Sequence, residues 1–203
     1  MPEQDPTPER APAALLLVDV INGYDFEGAE KLVAHARAVV PVLADLKRRA
    51  KAAGMPVVYA NDNFHRWRDD FRAVVARCTA PGAPGRALVA PLVPDEDDYF
   101  ILKPKHSAFF GTPLELLLGR LGVRTLVVGG FASDICVLAT LADAKMREYR
   151  LILPADAGAA ETPTAHAQAL AYARRVLDAE TPPAAEVDVE ALMRGDDGDE
   201  AGD

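Results

Sequence analysis

The stretch LVVGGFASDICVLAT, residues 126–140, decides how the rest of the chain is read. Its first five residues form a short continuous apolar run ending in glycine, the pattern of a strand buried on both faces. After Cys136 the apolar residues of VLATLADAKMREY follow a helical period instead. A strand that runs into a helix is half of a strand–helix–strand unit, which implies a parallel sheet. The same stretch puts a lone cysteine at the corner between the two elements. Such a residue is either a small hydrophobe starting a core helix or a nucleophile presented to a ligand.

Working outward, the alternation repeats. AALLLVDV (13–20) reads as a buried strand ending at Asp19, and the helical run from Ala29 stops at Gly54, with Pro41 marking a kink or a new first turn. PVVYAND (56–62) is the second strand, and a helix begins within RWRDDFRAVVARC (66–78). Residues 79–97 are rich in Pro, Gly and Ala and read as the longest irregular connection, with one helical turn at GRALVAPL. A third strand covers roughly 98–103, and Thr112 and Pro113 suit the N-cap and first position of the next helix. YRLILPADA supplies another strand, ETPTAHAQALAYARRVLDAE a last long helix, and AAEVDV a short sixth strand.

The 203 residues suit one domain over 12–193, between a flexible segment at 1–11 and a disordered acidic tail at 194–203. The formal charge of −9 is confined to the two ends, so it describes tails rather than a ligand and argues against a nucleic-acid partner. There is no secretory signal, no apolar run of membrane-spanning length and no cysteine framework. These features predict a cytoplasmic protein with reduced thiols.

Ligands of parallel α/β sheets bind outside the carboxyl ends of the strands. That rule selects Asp19, Asn61–Asp62, Lys103, the loop before Cys136, and Asp156. Three of these can do chemistry together. Lys103 and the start of a helix would both favour the Cys136 thiolate, and Asp19 could take the thiol proton and return it to a leaving amine.

Three local patterns carrying these residues resemble the isochorismatase-like cysteine hydrolases, the superfamily of nicotinamidases and N-carbamoylsarcosine amidohydrolases. They are ALLLVDVINGY with Asp19, KPKHSAFFGT with Lys103, and GFASDICV with Gly130, Ser133, Asp134, Cys136 and Val137. The position two after Asp19, Gln in many members, is Ile21. The resemblance implies a Rossmann-like three-layer α/β/α fold with a mainly parallel sheet of five to six strands, and a homo-oligomer, dimer or tetramer. It implies a catalytic Asp19–Lys103–Cys136 triad, a cis peptide joining Phe131 to Ala132, and an oxyanion hole made by the Ala132 and Cys136 N–H groups. The reaction implied is hydrolysis of a small amide or carbamoyl compound through a thioester.

Nicotinamidases of the superfamily hold a divalent metal through an Asp/His cluster after the second strand. NDNFHRWRDDF has the single His65 there, so neither a metal nor any other cofactor is expected. Asn61 either caps the next helix or bonds near Asp19. Asn61, Phe64, Trp67 and Phe109 are the candidate substrate-binding residues, although Trp67 also suits an interface or the core. His35, His106 and His166 lack metal spacing and are assigned only packing or solvent contact. A haloacid-dehalogenase-type phosphatase would want a second Asp at position 21, and a dinucleotide-binding module needs a Gly-x-Gly-x-x-Gly turn. Neither pattern is present. A vinyl ether hydrolase and a catalytically silent interaction protein of the same fold remain as alternatives.

Overall fold

The computed structural model describes residues 10–195. The segments expected to be flexible at 1–11 and disordered at 194–203 lie outside the described residues, apart from 10–11 and 194–195. Ala11 is buried, and its N–H donates to the Leu121 carbonyl.

Six strands form one sheet: β1 Ala13–Val18, β2 Val57–Asp62, β3 Tyr99–Lys103, β4 Thr125–Phe131, β5 Arg150–Ile152 and β6 Gly158–Ala159. Their order is β3-β2-β1-β4-β5, with β6 continuing beside the end of β4, and every strand pairing is parallel. β1 is central and completely buried, which explains a sequence with no polar alternation. Its side chains divide by a period of two between the faces. Leu15 and Leu17 join a core with α1 (Ala29–Ala52), α2 (Phe71–Thr79), α3 (Arg86–Val89) and α7 (Val189–Arg194). Leu16 and Val18 join the other core, with α4 (Leu114–Leu121), α5 (Leu138–Lys145) and α6 (Pro163–Leu177). Each fully buried leucine contributes about 1.5–3 kcal/mol of transfer free energy.

Three local expectations are corrected, at Pro41, at the start of α4 and at the sixth strand. α1 runs through Pro41 as one helix, with no new first turn there. Pro41 and Arg37, whose carbonyl loses its helical donor, both lie on the exposed face, within reach of solvent. α2 starts at Phe71, inside the stretch read for it, because the Asp70 side chain caps it by accepting from the Ala73 N–H at 2.8 Å. α4 starts one residue late, at Leu114, although the Thr112 hydroxyl still accepts from the Leu114 N–H at 3.2 Å. The sixth strand is Gly158–Ala159, whereas residues 184–186 form a 3-10 turn. The chain does pass beside β5 at Glu180, but Pro182 and Pro183 follow at once and have no N–H for a ladder.

Gly130 brings the strand ends together. Its φ is +130°, and a Cβ there would stand 2.0 Å from the Val18 carbonyl oxygen. Only glycine lets β4 close on β1 at this level. After Phe131, residues 132–136 leave the sheet and turn into α5.

Candidate active site

Asp19 follows the last residue of β1, and Lys103 is the last residue of β3. The Lys103 side chain is 0% exposed, and its Nζ lies 2.8 Å from Asp19 Oδ2. Asp19 Oδ1 accepts from the Asp62 backbone N–H at 2.7 Å. The buried ammonium donates to the Lys105 carbonyl at 3.2 Å and lies 3.8 Å from Asp62 Oδ2. A buried charge is tolerated only when paired and hydrogen-bonded in this way. The corner between β4 and α5 supplies the sulfur: Lys103 Nζ is 3.5 Å from Cys136 Sγ. The structure thus brings together the carboxylate, the ammonium and the thiol selected from the sequence.

The corner that carries Cys136 is held from several sides. The peptide between Phe131 and Ala132 is cis. A wide helical turn over Ser133–Val137 precedes α5, with the Ala132 carbonyl accepting from the N–H groups of Ile135 and Val137, each at 3.2 Å. Turns of this kind recur at functional sites. The Thr140 hydroxyl donates to the Cys136 carbonyl at 2.7 Å and accepts from the Ala108 N–H at 3.0 Å, tying the corner to the loop after Lys103. Ser133 is fully buried, with its Oγ 2.9 Å from His166 Nδ1, while His166 Nε2 lies 2.9 Å from the Ala155 carbonyl. A carbonyl can only accept, so Nε2 carries the proton and the Ser133 hydroxyl donates to Nδ1.

Burial pushes the Asp19 carboxyl above its ordinary range, although the Lys103 ammonium pulls it down. Burial pulls the other way on Lys103, but the charges of Asp19 and Cys136 outweigh it and hold the ammonium above its usual value. With a 2.8 Å contact and a second donor on the carboxylate, we read the pair as ionised. Burial, then the Asp19 charge, raise the Cys136 thiol to about 12, and Lys103 offsets only part of this. Burial and the Asp19 charge thus work against the thiolate that the lysine and the helix start favour, which leaves Asp19 a thiol proton to take. A test follows from the sign. Below its pKa a thiol gains thiolate tenfold per pH unit. The alkylation rate of Cys136 by iodoacetamide should therefore climb without a plateau from about pH 7 to 9; a plateau below about pH 8 would show a sulfur already ionised.

The other candidates separate. Asn61 is fully buried, accepting from the Ile21 N–H at 3.1 Å and donating to the Ile21 carbonyl at 2.7 Å. Its amide holds the loop after Asp19, as the reading of a bond near Asp19 had it, and its full burial corrects the assignment to substrate. Phe64 is half-buried, and its N–H donates to Asp62 Oδ1 at 2.6 Å. Trp67 is 75% exposed and has no place in the core. Phe109, 5% exposed, is also corrected. Its ring lies in the core beside Tyr149 (centroids 6.0 Å apart) and under the Arg147 guanidinium (4.8 Å), while Phe110 points to solvent. Asp156 is structural, accepting from the Ala184 N–H at 2.7 Å.

Two histidines assigned only packing or solvent contact touch residues of this corner. His106 Nδ1 lies 3.7 Å from Cys136 Sγ on its open side, and His166 braces Ser133. His106 follows Lys103 by three residues, so a loop folding back on the strand end was a usable signal. His166 offers none, because its partners are remote in sequence. Thr140 could have been found from its place four residues after Cys136, where a helical threonine reaches back to a carbonyl. Asp95, Asp97 and Asp98 lie close enough together to hold a cation, but they stand before β3, at the opposite edge of the sheet. Lys47 Nζ lies 2.8 Å and Lys51 Nζ 3.0 Å from Asp98, so ammonium groups already serve the cluster. No helix among the described residues is long and apolar enough to cross a membrane.

Comparison with known proteins gives the same outline. Residues 13–181 match the isochorismatase domain family model. An uncharacterized isochorismatase family protein of Bacillus subtilis, YaaI, is 37% identical over 171 residues, covering 84% of this chain and 93% of that protein. The ureidoacrylate amidohydrolase RutB of Methylorubrum extorquens is 33% identical over 70% of this chain and 68% of its own. The crystal structure of N-carbamoylsarcosine amidase from Thermoplasma acidophilum superposes with a TM-score of 0.68 at 29% identity, covering 87% of this chain and 98% of that one.

Proposed function

The chain belongs to the isochorismatase family, and from that premise we propose that it is a cysteine-dependent hydrolase of small amide or carbamoyl compounds, acting through a thioester. One observation carries this reading: a single buried ammonium touches both a carboxylate, at 2.8 Å, and the one thiol at the strand ends, at 3.5 Å. The names of the similar proteins support the bond type, since RutB is a ureidoacrylate amidohydrolase and the Thermoplasma protein an N-carbamoylsarcosine amidase.

In the proposed cycle Asp19 removes the thiol proton as Sγ forms its bond to the substrate carbonyl carbon. Proton removal during attack suits a thiol held near 12 better than a standing thiolate would. The carbonyl π pair moves to oxygen, and the oxyanion is received by the N–H groups of Ala132 and Cys136. One such donor contributes about 3 kcal/mol to the barrier. Asp19 returns the proton to nitrogen as the C–N bond breaks and the amine leaves. Water then gives a proton to Asp19 and adds to the thioester carbon; the C–S bond breaks, and sulfur recovers the proton. Lys103 holds Asp19 in place and balances its charge, and His106 faces the substrate side of the sulfur. Activity should fall toward acid as Asp19 is protonated, at a pH above the ordinary carboxylate range because burial raises that group.

The thioester is open to direct test. With hydroxylamine present, a panel of primary amides and ureides should yield hydroxamates beside the acids, and the peptide containing Cys136 should gain the acyl mass. Product formation with no hydroxamate and no mass change would remove the covalent intermediate.

A further inference from the structure

The loop after β3 holds an imidazole against the sulfur. It is pinned on both sides of His106. The Lys105 carbonyl accepts from Lys103 Nζ at 3.2 Å, and the Ala108 N–H donates to the Thr140 hydroxyl at 3.0 Å. Between these anchors the His106 side chain stands exposed, with Nδ1 3.7 Å from Cys136 Sγ. Cys136 is half-buried, so ring and sulfur meet on the accessible side of the corner.

The single hydrogen of the thiol limits what the ring can do there. Asp19 hydrogen-bonds to Cys136, and an ionised carboxylate only accepts, so the thiol hydrogen is directed to Asp19. An ammonium only donates, so Lys103 Nζ, at 3.5 Å, faces a sulfur lone pair. With the thiol hydrogen spent, the bond left between ring and sulfur is Nδ1–H donating to Sγ. At 3.7 Å that bond is long, and bonds of this kind tighten as charge develops on the acceptor. Charge develops on this sulfur chiefly when the acyl-enzyme is hydrolysed, because the C–S electron pair then departs with it. A thiol held near 12 is a poor leaving group, so a donor at the sulfur is worth most in that step. In acylation the group that departs is the protonated amine, and the sulfur keeps its new bond.

We propose that His106 is a second donor to the Cys136 sulfur, receiving with Lys103 the electron pair that the C–S bond releases as the thioester is hydrolysed. The inference rests on the cysteine-hydrolase reading and adds a fourth group, on the open side, to Asp19, Lys103 and Cys136. Water adds to the thioester carbon and gives its proton to Asp19. The C–S pair moves to Sγ, Asp19 passes the proton to sulfur, and His106 keeps its own proton throughout.

Two variants isolate the donor: His106→Phe keeps a flat ring without an N–H, and His106→Asn keeps a side-chain N–H on a shorter stem. With p-nitrophenyl acetate in a stopped-flow instrument, the initial burst of p-nitrophenolate reports acylation of Cys136 and the later steady rate reports deacylation. His106→Phe should keep the burst within about 3-fold and slow the steady rate about 10-fold or more, and His106→Asn should recover part of that loss. Equal losses in both phases, or none in either, would overturn the proposal. A measurement without turnover separates it from the hydrolase reading. A donor favours the thiolate, so at about pH 8 iodoacetamide should alkylate Cys136 about 10-fold more slowly in His106→Phe than in the parent, whether or not the ester is hydrolysed. Alkylation at an unchanged or higher rate would mean that the ring only walls the sulfur, and would reject the donor. Slower alkylation with no burst in the parent would strike the thioester and leave the donor in place.

Discussion

Cys136→Ala should lower turnover of any amide substrate by about 10⁶-fold, the loss seen when a covalent nucleophile is removed from a site whose members act as a unit. The remaining carboxylate and ammonium can still bind and polarise, but they cannot form the acyl intermediate. The fold should be unaffected. Cys136 is half-buried, and the bonds that shape its corner run through backbone groups, Thr140 and Ser133, none of which needs the sulfur. Ammonia release measured beside a thermal melt checks both halves. An alanine variant with full activity would end the nucleophile assignment, and one that fails to fold would show that the sulfur has a packing role as well.

Lys103→Met should cost both stability and activity. The lysine side chain is 0% exposed and that of Asp19 9%, so removing the ammonium leaves a buried carboxylate with the Asp62 N–H as its main support. Breaking one side of a buried pair costs about 3–5 kcal/mol. Burial of Asp19 would then be unopposed by its strongest counter-charge, so its pKa should rise further and the acid limb of the pH–rate profile should move to higher pH. A general base lost to protonation reduces the rate by about 10²–10⁴-fold. Urea titration should show the stability loss. Adding Asp19→Asn should restore part of that stability and none of the activity, because both charges are then gone. A single variant as stable as the parent would mean the pair is not buried as a unit.

Asp19 and Lys103 were legible because each closes an apolar strand, where a charged side chain has no place in a core and the topology of a parallel sheet puts it at the ligand edge; Cys136 was legible from the change of period between β4 and α5. The same logic failed for neighbouring aromatic residues. Phe109 and Phe110 are adjacent, and which of them turns inward is set by Tyr149 and Arg147, from another part of the chain. Asn61 stood where a ligand residue should stand, yet its amide is used up on the Ile21 backbone, a partner forty residues away that no local pattern announces. His166 was unreadable for the same reason. For the sulfur, the lysine, the helix start and the carboxylate were legible, whereas the burial that raises the thiol was not. Sequence order reveals charges more readily than desolvation.

The strand order bears on how such a molecule is born. β1 leaves a ribosome before the other five strands, and β2 can zip onto one of its edges when it follows, but the other edge is taken by β4, which is made after β2 and β3. Through that interval a nascent chain shows a bare, wholly aliphatic strand margin, the kind of surface to which chaperones attach. Until β4 docks, nothing holds the segment that carries Cys136 beside Asp19 and Lys103, so under the proposed chemistry competence comes only when the sticky margin has been sealed.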